Sequence, residues 1–315
     1  MKKEANSSID KPNDQKSTEE LIELGLLLRK IQEINHYIGQ VFCLSIIGEK
    51  PEIQKILVDF FVWKFLKDKN AFWDIVWILR YRGNYEVLTA ASRLCESKNP
   101  KSRELGVDIL GQLGVPERSF PDESGIILLK LLENEENIDV LYSIGVAIGH
   151  LKDPRGVAPL AKLKNHLSAD VRFGVVIGLL CQEDELAINT LIEMSTDEDE
   201  DVRNWATFGL GEMIETDTPI IRHALFQRLI DEKGETDTEA EIRGEALLGL
   251  AKRKDKRVIN LLIEELCCNC VGRLSVEAAK EIGDTRLYPF LSTLQEWWDV
   301  DRNLLQEAIY SCQSE

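Results

Sequence analysis

The sequence predicts an all-α protein, an α-solenoid of about eight helix pairs behind an N-terminal helical cap. Three observations carry that prediction. First, one phrase is written twice: Asp153-Pro154-Arg155-Gly156 opens an apolar run, and Asp184-Glu185-Leu186-Ala187 opens another 31 residues later. Second, Asp170-Val171-Arg172 and Asp201-Val202-Arg203 repeat at the same step of 31. Third, the runs that follow share a register of apolar, small and small positions. A period of that length with helical spacing is the signature of stacked helix pairs, each too small to bury its own apolar face. Such a stack would run as one continuous body whatever its length.

Residues 1–17 are polar and charged with no apolar core, as expected of a disordered leader and not of a signal or transit peptide. From Thr18 the apolar positions Leu21, Leu24, Leu28, Ile31, Ile34, Ile38 and Val41 recur at three and four, the stripe of an amphipathic helix or two. Ser17 or Thr18 with Glu20 or Glu19 can cap its start, and Gly48 and Pro51 end it, so residues 18–50 form the predicted cap. Glu23, Arg29, Lys30 and Glu33 exclude a membrane span there. The predicted solenoid occupies 51–315. Its first two helices, 52–67 and 71–82, are the most aromatic part of the chain, with Phe60, Phe61, Trp63, Phe65, Phe72, Trp73 and Trp77. Packing against the cap and an exposed groove are both open readings of that cluster.

Beyond it, Asn84, Asp122, Asp153, Asp184, Asp217, Asp255 and Asp284 each precede an apolar run, and Asn or Asp is the residue that caps a helix's first free amides. Second helices begin near Arg103, Leu141, Arg172, Arg203, Arg243 and Ser275. Their register reads Ser102, Gly106, Gly111; Val140, Ile144, Gly149; Val171, Val175, Leu180; Val202, Ala206, Gly211; Ile242, Ala246, Ala251; and, shifted by one, Leu274, Ala278, Gly283. Small residues at these positions let neighbouring helices approach, and the glycines are expected to end helices as well. Residues 114–121 lengthen one link, and 231–241 hold an insertion of about seven residues. Insertions of this kind map to loops on one edge of a solenoid.

An Asp-x-Arg opening one helix, an Asp-Val-Arg opening the next, an Ala three residues on and a Leu-Gly near its end resemble the HEAT repeat, in the short form of the phycobilisome-lyase-like subgroup. The resemblance implies a right-handed stack of helix pairs whose second helices line a concave surface, used mostly to hold other proteins. Three enzymatic relatives of this architecture are testable by residue. The His-Glu dipeptides that hold iron in deoxyhypusine hydroxylase are missing, because His36, His150, His166 and His223 precede Tyr37, Leu151, Leu167 and Ala224. The cationic face implied by a likeness to alkylpurine DNA glycosylases is opposed by the charge balance. Nothing marks the chromophore site that a bilin lyase would need.

That balance is 55 acidic against 38 basic residues, a formal charge of -17, which repels nucleic acid and anionic membranes and favours basic proteins or mere solubility. Residues 195–241 carry fourteen carboxylates against four basic side chains. Seven cysteines, an odd number set mostly in apolar runs, point to a reducing cytoplasm. Cys267-Cys268-Asn269-Cys270 lacks a partner pair for a structural zinc and reads as the turn between two helices. Asp153 with Arg172, and Asp184 with Arg203, are expected to link neighbouring units as a ladder.

Positions of the second helices not used for packing place Phe173 and Ile177 in one unit, Asn204, Trp205 and Phe208 in the next with Glu212 beyond, then Glu245 and Leu248. Aromatics bordered by carboxylates suit a basic, partly apolar partner. Packing under the following unit is the competing account. The expected function is a cytoplasmic, non-catalytic scaffold or adaptor for a basic protein, with no cofactor and no metal. An inhibitor or immunity protein that occludes a basic enzyme, and an accessory subunit of a lyase-type enzyme, stay open.

Overall fold

The computed structural model describes residues 17–27 and 71–313, so most of the predicted cap and the helix expected over 52–67 lie outside the described residues. Every regular element described is helical. None of these helices is long and apolar enough to cross a membrane. Two compact units, divided after Leu151, make up the chain.

In the first unit, helix α1 (18–27) opens with a reciprocal capping box. The Glu20 amide donates to Ser17 Oγ at 3.2 Å, and the Ser17 amide donates to Glu20 Oε2 at 2.8 Å. α2 (Ala71–Arg82) coincides with the predicted span. Two pairs follow, α3 (Tyr85–Cys95) with α4 (Pro100–Leu110) and α5 (Pro121–Leu132) with α6 (Ile138–Leu151). Asn84 caps α3 as expected, its Oδ1 accepting from Val87 N at 3.0 Å. Asp122 does not cap α5. The helix begins one residue earlier, at Pro121, whose ring presets φ and brings no N–H needing a partner. The link before it turns at Gly114 (φ +75°), where a Cβ would lie 2.4 Å from Ser119 N.

In the second unit the pairs are α7 (Val157–Ala161) with α8 (Ala169–Leu179), α9 (Glu185–Met194) with α10 (Glu200–Phe208), and α11 (Pro219–Asp231) with α12 (Asp237–Lys252). They continue as α13 (Val258–Leu266) with α14 (Arg273–Ile282), and α15 (Tyr288–Leu294) with α16 (Arg302–Ser311). The second helices pack in series, α8 on α10, α10 on α12, α12 on α14 and α14 on α16, the continuous layer of an α-solenoid. The register explains the fit: Val175, Ala206, Ala246 and Ala278 are all buried. Part of the 231–241 insertion is spent on an earlier start to α12, leaving a loop over 232–236.

Of the glycines expected to end helices, Gly111 and Gly283 do so, as the C-caps of α4 and α14, while two others do something else. Gly149 lies inside α6, and Gly211 lies in a π-turn, Gly209–Met213, that extends α10. There the backbones of α10 and α12 meet: a Cβ on Gly249 would fall 2.5 Å from Gly211 Cα. Arg253 seals this approach, donating from Nη1 to the carbonyls of Gly211 and Gly249 and from Nη2 to those of Leu210 and Ile214, at 2.7–3.0 Å.

The ladder exists, with other carboxylates than those expected. Arg172 Nε and Nη2 each donate to Asp197 at 2.8 Å, while Nη1 donates to the His166 carbonyl in the preceding turn. Arg203 reaches Glu232 at 3.0 Å and Arg243 reaches Glu265 at 2.8 Å, and each also bonds a carbonyl of the turn before its helix. In the first unit Arg103 does the same with Glu135. Every rung ties a second helix to the turn or first helix that follows. Asp153 instead clasps Arg155, two residues on, through both its backbone N–H and its guanidinium, a geometry repeated by Asp255 with Arg257 and Asp284 with Arg286. Asp184 caps its own helix.

Candidate functional site

The residues expected to face a partner lie on α8, on α10 with its π-turn, and on α12, all within the second unit. Phe173 on α8, and Trp205 and Phe208 on α10, form a chain of edge-to-face rings. The Phe173 and Trp205 centroids are 5.9 Å apart at 71°, and those of Trp205 and Phe208 are 5.6 Å apart at 70°. These are the preferred spacings of aromatic quadrupoles. Trp205, at the middle, is 39% exposed. Phe173, Phe208 and Ile177 are half-buried. The rings therefore sit on a surface layer and are not sunk in the core.

Polar groups occupy the same helices and the π-turn. Asn204 Nδ2 donates to Glu241 Oε2 at 3.0 Å across from α10 to α12, while Asn204 Oδ1 is buried without a donor. In the π-turn, Glu212 Oε2 is ion-paired with Lys252 and Glu212 Oε1 is buried without a donor. Glu245, expected on the exposed wall, lies beneath it at 9% exposure, because the run from Gly244 to Ala251 is buried throughout and carries the carboxylate with it. Its Oε2 has no donor. Burial pushes its pKa up to about 7, and the neighbouring carboxylates Glu212 and Glu241 push in the same direction.

Lys252 and Glu241 were not among the predicted site residues. The signal for them is their spacing: Glu241, Glu245 and Lys252 are separated by four and seven residues, one stripe of a helix. A π-turn at such a place is itself informative, since π-turns concentrate at functional positions.

Much of the acidic 195–241 segment is spent on structure. Asp197 and Glu232 are rungs, Asp199 caps α10 through Val202 N at 3.1 Å, and Asp217 pairs with Arg222 at 2.6 Å. Cys267, Cys268 and Cys270 are exposed in the turn after α13, while Cys95 and Cys312 are buried. No cluster suited to a metal ion occurs among the described residues.

Residues 127–211 match the sequence pattern of HEAT repeats. Over 107 residues the chain is 39% identical to Protein YibA of Escherichia coli strain K12, and equally to that of strain O157:H7. The alignment takes in 34% of this chain, and the chain spans 35% of the length of these curated relatives. The X-ray structure of E. coli YibA superposes with a TM-score of 0.62 at 27% identity, over 85% of this chain and 99% of the other.

Proposed function

We propose that this protein is a non-catalytic scaffold or adaptor of the short HEAT-repeat kind, acting in the cytoplasm, whose second-helix face holds a basic protein and not nucleic acid. One observation carries the reading: three aromatic rings, Phe173, Trp205 and Phe208, meet edge to face on a surface layer, and the central ring is substantially exposed. Rigid aromatic groups lose little entropy on binding and are the usual anchors of protein interfaces. The carboxylates contribute steering of a cationic partner, an effect that weakens with salt. The HEAT-repeat match supports a role in protein interaction.

The test is capture of the partner from its native cell, identified by mass spectrometry of what copurifies. Replacing Trp205→Ala together with Phe208→Ala is expected to leave far-UV circular dichroism unchanged and to weaken capture roughly tenfold or more. Undiminished capture by a folded double variant discards the site.

A further inference from the structure

Hydrogen-bond polarity orders a chain of three side chains in the first unit. Arg80, near the end of α2 and buried, donates from Nη1 to Gln112 Oε1. A guanidinium has no acceptor, so the carboxamide turns its oxygen to Arg80 and its nitrogen the other way. That nitrogen, Gln112 Nε2, lies 2.8 Å from Nδ1 and 3.2 Å from Nε2 of His150, in the last turn of α6. A neutral imidazole has one accepting nitrogen in either tautomer, and an imidazolium has none. His150 is therefore bonded to Gln112 only while it is neutral. Cations crowd the same place. Arg118, in the link over 114–121, keeps Nη1 buried without an acceptor, and Arg118 and Arg80 are the charged groups that act on the ring. Asp108 of α4 acts on Arg80, while α5, also packed on α6, adds no charged group that acts on His150. Backbone bonds fix the link to α2: the Gly114 amide donates to the Arg80 carbonyl at 2.7 Å, and the Ser119 amide donates to the Leu113 carbonyl at 2.8 Å.

We propose that Arg80, Gln112 and His150 form an acid-sensitive joint, in which a proton on His150 ends its bond with Gln112 and releases the end of α6 from the link that α2 holds. The joint belongs to the first unit and does not depend on the scaffold reading. Gln112 cannot rescue the bond by turning over, because its NH2 group would then face the Arg80 donor. The charged ring would meet one donor and two guanidiniums, an arrangement that like charges and unmatched donors both oppose. His150 is exposed, so solvent protons reach it without a channel. The protein around it nonetheless lowers its pKa, through desolvation first and then through Arg118 and Arg80. With the folded-state value below the unfolded one, the unfolded chain takes up the proton more readily. The stability that this contact contributes is therefore present above the ordinary histidine range and is lost as pH falls through the lowered value.

The test is an NMR titration of the full chain from about pH 8 to about pH 4.5, following the assigned His150 Hε1 and Gln112 side-chain NH2 resonances. The His150 midpoint is expected below the ordinary histidine value of about 6.5, and the Gln112 resonances are expected to move with the same midpoint. Hydrogen exchange of the last-turn amides of α6, corrected for its intrinsic pH dependence, should lose protection roughly fivefold once His150 is charged. Gln112→Glu puts an acceptor between Arg80 and the ring, so it should raise the His150 midpoint and keep that protection in acid. A parent midpoint at or above about 6.5, Gln112 resonances that do not follow the ring, or protection unchanged across the midpoint overturns the joint. So does a folded Gln112→Glu variant that leaves the midpoint in place or loses protection as the parent does. If circular dichroism shows that variant unfolded, the titration and exchange of the parent decide alone.

Discussion

Carboxylates in the second unit occupy two contrasting settings. Asp197, at the turn edge, keeps its side chain only 9% exposed and has donors on both oxygens, from Arg172 and from the Asp199 amide. Glu245, on the face formed by α10 and α12, is equally buried, and one of its oxygens has nothing. Both belong to the same acidic protein, and a count of charges does not separate them. Pairing does. A buried charge with a bidentate partner is a fastener between repeats, while a buried charge left half-satisfied costs stability that a fold serving only itself has no reason to bear.

Cutting a rung should have the largest effect. Arg172 and Asp197 are 7% and 9% exposed, so Arg172→Ala leaves Asp197 buried without its cation and frees the His166 carbonyl as well. A loss of about 3–5 kcal/mol is expected, read from the urea midpoint. Arg172→Lys should recover only part of it, because a single ammonium cannot reproduce the two parallel bonds. A loss below about 1 kcal/mol, the range of an exposed pair, would mean that the rungs do not fasten the repeats.

The rungs also show where sequence reasoning stops. The helix pairs, the step of 31 and the caps at Asn84 and Asp184 were legible, because they depend on contacts within a few residues or on one fixed period. The arginines were legible as linkers too. Their partners were not: Arg103, Arg172, Arg203 and Arg243 reach carboxylates 32, 25, 29 and 22 residues on, according to the length of each intervening turn and helix. At the candidate site, the sequence placed Phe173, Trp205 and Phe208 on one face, and the rings do touch. It placed Glu245 on the same face and missed its depth. The signal was present, since a helix that is apolar all round, as α12 is from Ala246 to Ala251, is buried on every side.

Glu245→Gln tests the other half of the contrast, and its effect has the opposite sign. The folded-state pKa of Glu245 is raised from 4.5 to about 7. Between those values the folded protein holds a proton that the unfolded chain has lost, so stability falls as pH rises through this window. Glu212, Glu241 and Glu277 add to the rise, and Lys252 opposes it. Glutamine cannot ionise. The variant should match the parent near pH 4 and exceed it at pH 8 by up to about 3 kcal/mol, because a tenfold difference in proton affinity between the folded and unfolded states corresponds to about 1.4 kcal/mol. Equal stability at pH 8 would mean that Glu245 has all the partners it needs and that the face is no different from the rungs.

The smallest effect sets the baseline against which both are judged. Lys280 on α14 and Glu307 on α16 join successive second helices at 3.1 Å, with side chains 29% and 61% exposed. Their Coulomb attraction acts through water, and holding two long side chains together offsets much of it. Lys280→Met should therefore move the urea midpoint by no more than about 0.5 kcal/mol, and the shift should shrink further in high salt. A cost near that of Arg172→Ala would show that bridging successive helices is sufficient by itself, with burial and bidentate geometry contributing nothing. The distinction between fastening charges and idle ones would then have to be drawn from position in the repeat alone.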